Sequence, residues 1–114
     1  MIRRDAHDLL PLTPAMFHVL VALADGETHG YAIMKDVEEL TGGGVRLSTG
    51  TLYGIIKRLL ADGLIRESYG AQRGDDRRRA HALTAFGRDV ARAEAARLEH
   101  TLSIARRKPL FRKA

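Results

Sequence analysis

The sequence has no cysteine and no tryptophan, and only three phenylalanines and three tyrosines occur among its 114 residues. Without cysteine the chain has no disulfide, no thiolate nucleophile and no zinc site built on Cys ligands. A core must therefore be made mainly of Leu, Ile, Val and Ala side chains. A single domain of this length is long enough to hold a modest core of that kind.

Motifs of catalysis and metal binding are also missing. The chain has no nucleophile elbow and no paired-carboxylate spacing, and its five histidines show neither HxxxH nor HExxH spacing. The segment TGGGVRLSTG is rich in glycine, but it lacks the Lys-Ser/Thr ending and the preceding strand of a phosphate loop. We therefore expect a turn there, and we expect no enzyme activity, metal or cofactor.

Long apolar runs are absent as well. No stretch of about 18 apolar residues is present, so we expect no transmembrane helix. The segment MIRRDAHDLLPL lacks the apolar core and the cleavage site of a secretory signal. The expected location is the cytoplasm.

The chain has a formal net charge of +5, and the positive charge is unevenly spread. Residues 1–47 hold four Lys/Arg against seven Asp/Glu, residues 48–83 hold seven against four, and residues 84–114 hold eight against three. Such asymmetry suggests a polyanionic partner. A solvated, Arg-rich surface would have the same composition, and charge alone does not separate the two.

Capping signals predict two helices in the first half of the chain. Thr13-Pro14 begins the first helix, which stops at Asp25-Gly26. The second helix begins at Thr28 or His29 and ends at a turn made by Gly42–Gly44. The first helix is expected to bury Phe17, Leu20, Val21 and Leu23. In the second helix, Ile33, Val37 and Leu40 share one face. Leu9, Leu10 and Leu12 form an apolar arm expected to pack on the core or on a partner chain.

The third predicted helix runs from about Thr49 to Asp62 after a cap at Ser48. One side is apolar through Leu52, Ile55, Ile56, Leu59 and Leu60. The opposite side carries Gly50, Gly54, Lys57 and Arg58, flanked by Thr51 and Tyr53. Two glycines on the outer face remove bulk where another surface approaches. This thin, basic, hydroxyl-bearing face is typical of a helix that lies in a DNA major groove.

Two short segments after the third helix have strand character, Leu64 to Tyr69 and Arg78 to Leu83. A polar turn with Gly70 and Gly74 connects them. Three helices followed by such a hairpin predict a mainly α fold with a small β wing, a winged helix-turn-helix. Four arginines surround the wing loop: Arg73, Arg77, Arg78 and Arg79. We expect them to lie along DNA phosphates or to enter a narrow minor groove.

A long helix is predicted from a cap at Thr84 to about Arg107. Five residues recur along it at spacings of 4, 3, 4 and 3, as in an a/d seam: Ala91, Ala95, Leu98, Leu102 and Ala105. We expect this seam to form a dimer interface, the alternative being that the helix folds back on its own domain. The predicted organisation is a DNA-binding domain over residues 1–83, a dimerisation helix over residues 84–108 and a disordered basic tail over residues 109–114.

Four segments together resemble the PadR family of bacterial transcriptional regulators. They are LTPAMFHVLVALADG, HGYAIMKDVEELTGG, LSTGTLYGIIKRLLADGLI and RRRAHALTAFG. The resemblance covers roughly Leu10 to Leu102, and the single helix after the wing is similar to the short branch of that family. It implies a homodimer whose C-terminal helices pair. It also implies repression relieved by a ligand or signal, with a cavity for a small effector at the dimer interface.

The sequence departs from that family pattern in two places. Family members usually carry an aromatic pair in the second wing strand, where this chain has Ala80 and His81. We therefore expect looser wing packing and a packing role for His81. Some short members bind flat aromatic compounds between tryptophans, and this chain has none. That binding mode does not carry over.

The residues and the resemblance together predict an operator-DNA interface. Its candidate residues are Tyr31, Ser48, Thr49, Thr51, Tyr53, Lys57, Arg58, Arg73, Arg77, Arg78 and Arg79. Structural alternatives remain for several of them: Ser48 as a local cap, Arg58 turned toward the domain's acidic residues, and the wing arginines as a solvated loop paired with Asp75 and Asp76.

The predicted function is therefore a homodimeric, sequence-specific DNA-binding regulator, in the form of a ligand-responsive repressor. The alternative is a winged-helix protein-interaction module whose basic helices bind an acidic partner.

Overall fold

A computed structural model describes residues 5–68 and 79–111 of the chain. Four α-helices lie at α1 (Pro14–Ala22), α2 (Gly30–Leu40), α3 (Thr49–Ala61) and α4 (Ala85–Arg106). Three strands lie at β1 (Thr28–His29), β2 (Ile65–Ser68) and β3 (Ala80–Leu83). The fold is mainly helical with a small antiparallel sheet, as the sequence predicts.

The helix boundaries follow the capping residues. The Thr13 side chain accepts a hydrogen bond from Met16 N at 3.1 Å, and Pro14 opens α1. Ser48 and Thr84 cap α3 and α4 in the same way, through Thr51 N and Gly87 N. These side-chain oxygens pair backbone N–H groups that have no partner within the first turn of a helix. The predicted starts of α1, α3 and α4 are confirmed.

Of the two predicted starts of the second helix, His29 agrees with the structure as the N-cap, whereas the strand at Thr28 and His29 was not predicted. These two residues form β1, and α2 begins at Gly30 with His29 as its N-cap. β1 pairs with β3, so that Thr28 lies opposite His81 and His29 opposite Ala80. The sheet therefore has three strands in the order β1-β3-β2 rather than two. A strand of two residues is too short to show an alternating pattern.

The turn between α2 and α3 needs glycine. Gly42 and Gly43 have φ angles of 59° and 84°, a left-handed conformation that side chains with a Cβ rarely adopt. Thr41 completes the turn, since its hydroxyl donates to Val37 O at 2.8 Å and accepts from Val45 N at 2.9 Å. The turn thus fixes the angle at which α3 follows α2.

The core lies between α1, α2, α3, the sheet and the first half of α4. Its fully buried aliphatic side chains include Leu20, Leu23, Ile33, Val37, Leu52, Leu59, Leu64 and Val90. Of the four residues of the first helix that were predicted to be buried, Leu20 and Leu23 are buried, Phe17 is half-buried and Val21 is exposed. Val21 is 37% exposed because it faces an open groove between α1 and α4, and Leu40, the last residue of α2, is 61% exposed.

The N-terminal arm packs on its own chain. Residues Ala6–Leu9 form a 3-10 turn in contact with α4, and Leu9 and Leu10 pack against the core. Leu12 N donates to the carboxylate of Glu94 at 2.9 Å, and Glu94 is only 2% exposed. This buried contact fastens the arm to the middle of α4.

Candidate nucleic-acid interface

The outer face of α3 is bare at its two glycines. A Cβ atom added at Gly50 or at Gly54 would have no atom within 4 Å. Both glycines are exposed while Leu52, Ile56 and Leu59 on the opposite side are buried, which confirms the predicted amphipathic arrangement. The helix therefore presents an open backbone surface outward, wide enough for close approach by a partner.

Hydroxyl groups surround the N-terminus of α3. The Ser48 hydroxyl accepts from Thr51 N at 3.1 Å and donates to Thr51 Oγ1 at 2.9 Å. Ser48 therefore acts as the local cap that the sequence offered as its alternative role. Thr49 and Thr51 are exposed beside it. Because the first N–H groups and the dipole of a helix attract anions, this end of α3 suits a phosphate.

Tyr53 and Lys57 project from the middle of α3. Tyr53 is 53% exposed and Lys57 is exposed. The Tyr53 hydroxyl turns back toward the start of α2, where a Cβ added at Gly30 would lie 3.6 Å from it. Tyr31, next to Gly30, is 76% exposed. The Tyr53 hydroxyl therefore lies beside the start of α2, next to the residue that precedes Tyr31.

Arg58 is turned along its own helix. Its Nε lies 3.3 Å from Asp62 Oδ2, although the Arg58 side chain is 70% exposed. An exposed i,i+4 pair is worth only about 0.3–0.5 kcal/mol, so it does not hold Arg58 firmly. A DNA contact by Arg58 stays a prediction.

Only one of the four wing arginines lies among the described residues. Arg79 Nη1 is 3.4 Å from Glu67 Oε2 on β2, and the Arg79 side chain is 52% exposed. Arg73, Arg77 and Arg78 lie outside the described residues, as do Asp75 and Asp76. Arg79 stands at the base of the wing on the same side as Lys57, because both line one cleft between α3 and the sheet.

Two cations near the start of the third helix were missed by sequence reasoning. Lys35 and Arg46 border a second open cleft, of about 210 Å³, together with Tyr31. Arg46 Nε pairs with Glu38 Oε1 at 3.1 Å, and the Arg46 side chain is 76% exposed. Lys35 follows Tyr31 by four residues and so shares its helix face. That four-residue spacing from Tyr31 was the sequence signal that could have identified Lys35. With Lys35 and Arg46, the candidate cations include residues of α2 and of the α2–α3 turn as well as α3.

The predicted dimer seam is divided along α4. Ala91 packs against the core of its own domain, whereas Ala95 is exposed and Leu98 and Leu102 are 42% and 43% exposed. Ala105 is half-buried near the end of the helix. The first half of α4 therefore folds back on its own domain, and the second half carries apolar side chains that face outward.

The two residues that replace the expected aromatic pair lie inside the sheet. Ala80 is 7% exposed and His81 is 4% exposed. Burial lowers the pKa of His81, Glu67 opposes that shift, and Arg79 adds to it. His81 thus occupies a packed position as a neutral ring at neutral pH.

The described part of the chain contains no helix that meets the length and apolarity needed to cross a membrane. The same residues show no cluster of His, Cys, Asp or Glu that would hold a metal ion.

Comparison with known proteins decides the family. The sequence model of the "Transcriptional regulator PadR-like family" matches residues 19–93, which is more than half of the chain. The chain belongs to the PadR-like family. This is a family of transcriptional regulators and not of enzymes, and the resemblance found from the sequence motifs is confirmed.

Individual PadR-like relatives and solved structures agree with this assignment. A transcriptional regulator from Clostridium thermocellum is 26% identical, with a TM-score of 0.71 over 86% of this chain and 92% of that one. Bacillus subtilis PadR, solved in complex with operator DNA, is 23% identical, with a TM-score of 0.62 over 77% of this chain and 48% of that one, a likeness in fold.

A curated relative is similar to this chain over part of its own length. An uncharacterized 37.1 kDa protein in transposon TN4556 of Streptomyces fradiae is 43% identical over 83 residues, which is 71% of this chain. The match spans 22% of that relative's length, so the PadR-like region makes up about a fifth of it.

Proposed function

We propose that this protein is a homodimeric transcription regulator that binds a pseudo-palindromic DNA operator and represses the genes beside it in the cytoplasm. The observation that carries the proposal is the outer face of α3, where two glycines leave open space beside the exposed Tyr53 and Lys57. A duplex accepts a helix in its major groove when the helix has little bulk and donors point to base edges and phosphates.

The contacts that we propose fall into two groups. Lys57 and the open backbone at Gly50 and Gly54 face the bases. Phosphates on the two sides of the groove are held by hydroxyls and cations of neighbouring elements: Tyr31, Ser48, Thr49, Thr51, Tyr53, Arg58 and Arg79. This group also includes three wing arginines that lie outside the described residues and are proposed from the sequence: Arg73, Arg77 and Arg78. Bacillus subtilis PadR binds operator DNA with the same fold, which supports this arrangement.

Replacing Lys57 with Ala should weaken DNA binding. Each phosphate contact that is lost lowers the salt slope by about 0.9, and a lost base contact costs about 1–3 kcal/mol of discrimination. Binding of the promoter next to the gene should be measured by fluorescence anisotropy at several salt concentrations. Arg92→Ala is the matched control, because Arg92 is an exposed cation on α4 with its own acidic neighbour, Asp89. Equal affinity for wild type and Lys57→Ala would remove Lys57 from the interface.

Dimerisation is proposed through the outward-facing second half of α4. Leu98→Glu should give monomers, since a charge placed in an apolar interface has no partner there. Ile104→Glu is the matched control, because Ile104 is 46% exposed, much like Leu98, but lies on another side of the same helix. Sedimentation velocity separates the two forms. A Leu98→Glu protein that remains dimeric, or an Ile104→Glu protein that falls apart, would place the interface elsewhere.

The effector that the family resemblance predicts at the dimer interface remains part of this proposal. The groove between α1 and α4, of about 210 Å³, would form one wall of such a cavity, and its lining is mostly apolar. Its residues include Phe17, Val21, Ala91 and Ala95.

A further inference from the structure

The cleft between α3 and the sheet, which Lys57 and Arg79 line, has a volume of about 350 Å³. None of its lining residues belongs to α4, which carries the proposed dimer seam. The α3 wall offers apolar carbon from Ile56 and Leu60, with Tyr53 and Lys57 beside them. The sheet wall is formed by Glu67 and His81, and Arg79 stands at its edge. The volume falls within the range of about 300–1,000 Å³ that small-molecule sites occupy.

One polar atom of the sheet wall, His81 Nδ1, is buried and has no hydrogen-bond partner among the described residues. His81 and Glu67 are directly opposite each other on neighbouring strands, so their side chains share one face of the sheet. Among the described residues, His81 Nδ1 has no hydrogen-bond partner, whereas Glu67 Oε2 lies in an ion pair with Arg79 Nη1 at 3.4 Å. Unpaired buried polar atoms are rare because they cost free energy, and a bound group that reaches His81 Nδ1 from the cleft would remove that cost.

The charges around the cleft favour an anion. Lys57 and Arg79 are cationic, and Glu67 offsets one of these charges through its 3.4 Å contact with Arg79. Burial lowers the pKa of His81, so this ring is neutral at neutral pH. The lining therefore has a net positive charge beside the apolar side chains of Ile56 and Leu60. An oxyanion attached to a small apolar body matches both features.

We propose that this cleft binds a small organic anion and that its occupant excludes DNA. The second half of this proposal rests on the proposed function, because Tyr53, Lys57 and Arg79 belong to the suggested DNA interface. An anion held by these three side chains takes their donors away from phosphates. Release of the operator then needs no rearrangement of the dimer, since the ligand and the DNA use the same residues.

Direct binding can be tested without DNA. The probe is hexanoate, an anion with an apolar body, and its uncharged counterpart is hexanamide. In amide-resolved NMR titrations of the full chain, hexanoate should give saturable shifts at Lys57 and His81 at millimolar concentration, the affinity expected of a ligand with eight heavy atoms. The dissociation constant of hexanamide should be at least about tenfold higher than that of hexanoate, because the amide lacks the charge that Lys57 and Arg79 contact. Bound hexanoate should also raise the pKa of His81.

Arg79→Ala should weaken hexanoate binding about tenfold, whereas Lys108→Ala, which removes an exposed cation beyond the end of α4, should leave it unchanged. Arg79 is 52% exposed, so the variant should fold, and its unfolding temperature checks this. Equal shifts with acid and amide, no saturable shift, or shifts confined to the groove between α1 and α4 would each overturn the site.

The competition with DNA has its own readout. If wild-type protein binds its promoter, saturating hexanoate should displace the DNA and hexanamide should not. Unchanged DNA affinity at saturation would overturn the exclusion while leaving the anion site in place. Absence of any promoter binding by wild type would instead contradict the proposed function, and the NMR result would still decide whether the cleft binds an anion.

Discussion

Gly87→Ala should be among the most damaging single substitutions in this protein. A Cβ added at Gly87 would lie 1.8 Å from Leu64 O and 2.7 Å from Leu64 C, which are backbone atoms that no side-chain rotation can move. Overpacking of a dense core costs about 1–3 kcal/mol, and a collision with backbone lies at the top of that range or above it. We expect a loss of about 3 kcal/mol in the free energy of unfolding, measured by urea denaturation.

The matched control is Gly54→Ala. Gly54 also lies inside a helix, but a Cβ there would have no atom within 4 Å. Replacing a helical glycine with alanine at an open position should stabilise the protein by about 0.5–1 kcal/mol. A Gly87→Ala protein as stable as wild type would show that the contact between α4 and Leu64 is looser than the structure indicates.

The close approach at Gly87 also has a functional meaning. Thr84 N donates to Leu64 O at 3.1 Å, and the Thr84 hydroxyl donates to Gly63 O at 2.6 Å. The start of α4 is thus bonded directly to the turn that ends α3. In the proposed dimer, with its seam on α4 and its reading face on α3, this junction would link the position of one to the position of the other.

Glu94→Ala should also destabilise the protein strongly. The Glu94 carboxylate accepts from the buried Leu12 N at 2.9 Å and from Arg97 Nη2 at 3.1 Å. Removing it leaves a backbone N–H unpaired and a small cavity, and together these cost about 2 kcal/mol or more. Glu99 is an exposed acidic residue on the same helix, and Glu99→Ala should change the free energy of unfolding by less than about 0.5 kcal/mol. Equal effects of the two substitutions would contradict the assigned role of Glu94.

The same carboxylate predicts how stability depends on pH. The hydrogen bond from Arg97 lowers the pKa of Glu94, and the bond from Leu12 adds to this, while burial acts in the opposite direction. Because the folded pKa lies below the unfolded value of about 4.3, the contribution is fully present above about pH 5. It is lost as the pH falls through the folded pKa. The stability difference between wild type and Glu94→Gln should therefore be constant above about pH 5 and shrink below it.

The sequence predicted those parts of the fold that local chemistry controls. Caps at Thr13, Ser48 and Thr84 and the glycine turn at Gly42 and Gly43 fixed four helices to within a few residues, because side-chain oxygens and positive φ angles act over one turn. The outer face of α3 was also predicted, because the side on which a helical residue lies depends only on its position in the sequence. The 3.6-residue period alone decides which side chains of a helix point together.

The parts that were missed depend on contacts between distant segments. β1 forms only because β3 lies beside Thr28 and His29, about 50 residues later in the chain. Glu94 looks like an ordinary surface carboxylate until Leu12, 82 residues away, is placed on it. The cleft between α3 and the sheet likewise joins His81 with Lys57, which no spacing along the chain connects.

The central claim is that α3 reads a particular DNA sequence from each half of a dimer. Its most direct test compares binding of the promoter next to the protein's own gene with binding of random DNA of equal length, over a range of salt concentrations. We predict one dimer per promoter site, a steep salt dependence for both DNAs, and an affinity for the promoter at least about a thousandfold higher. Equal affinity for the two DNAs, or no binding to either, would contradict the claim and favour a protein-interaction module.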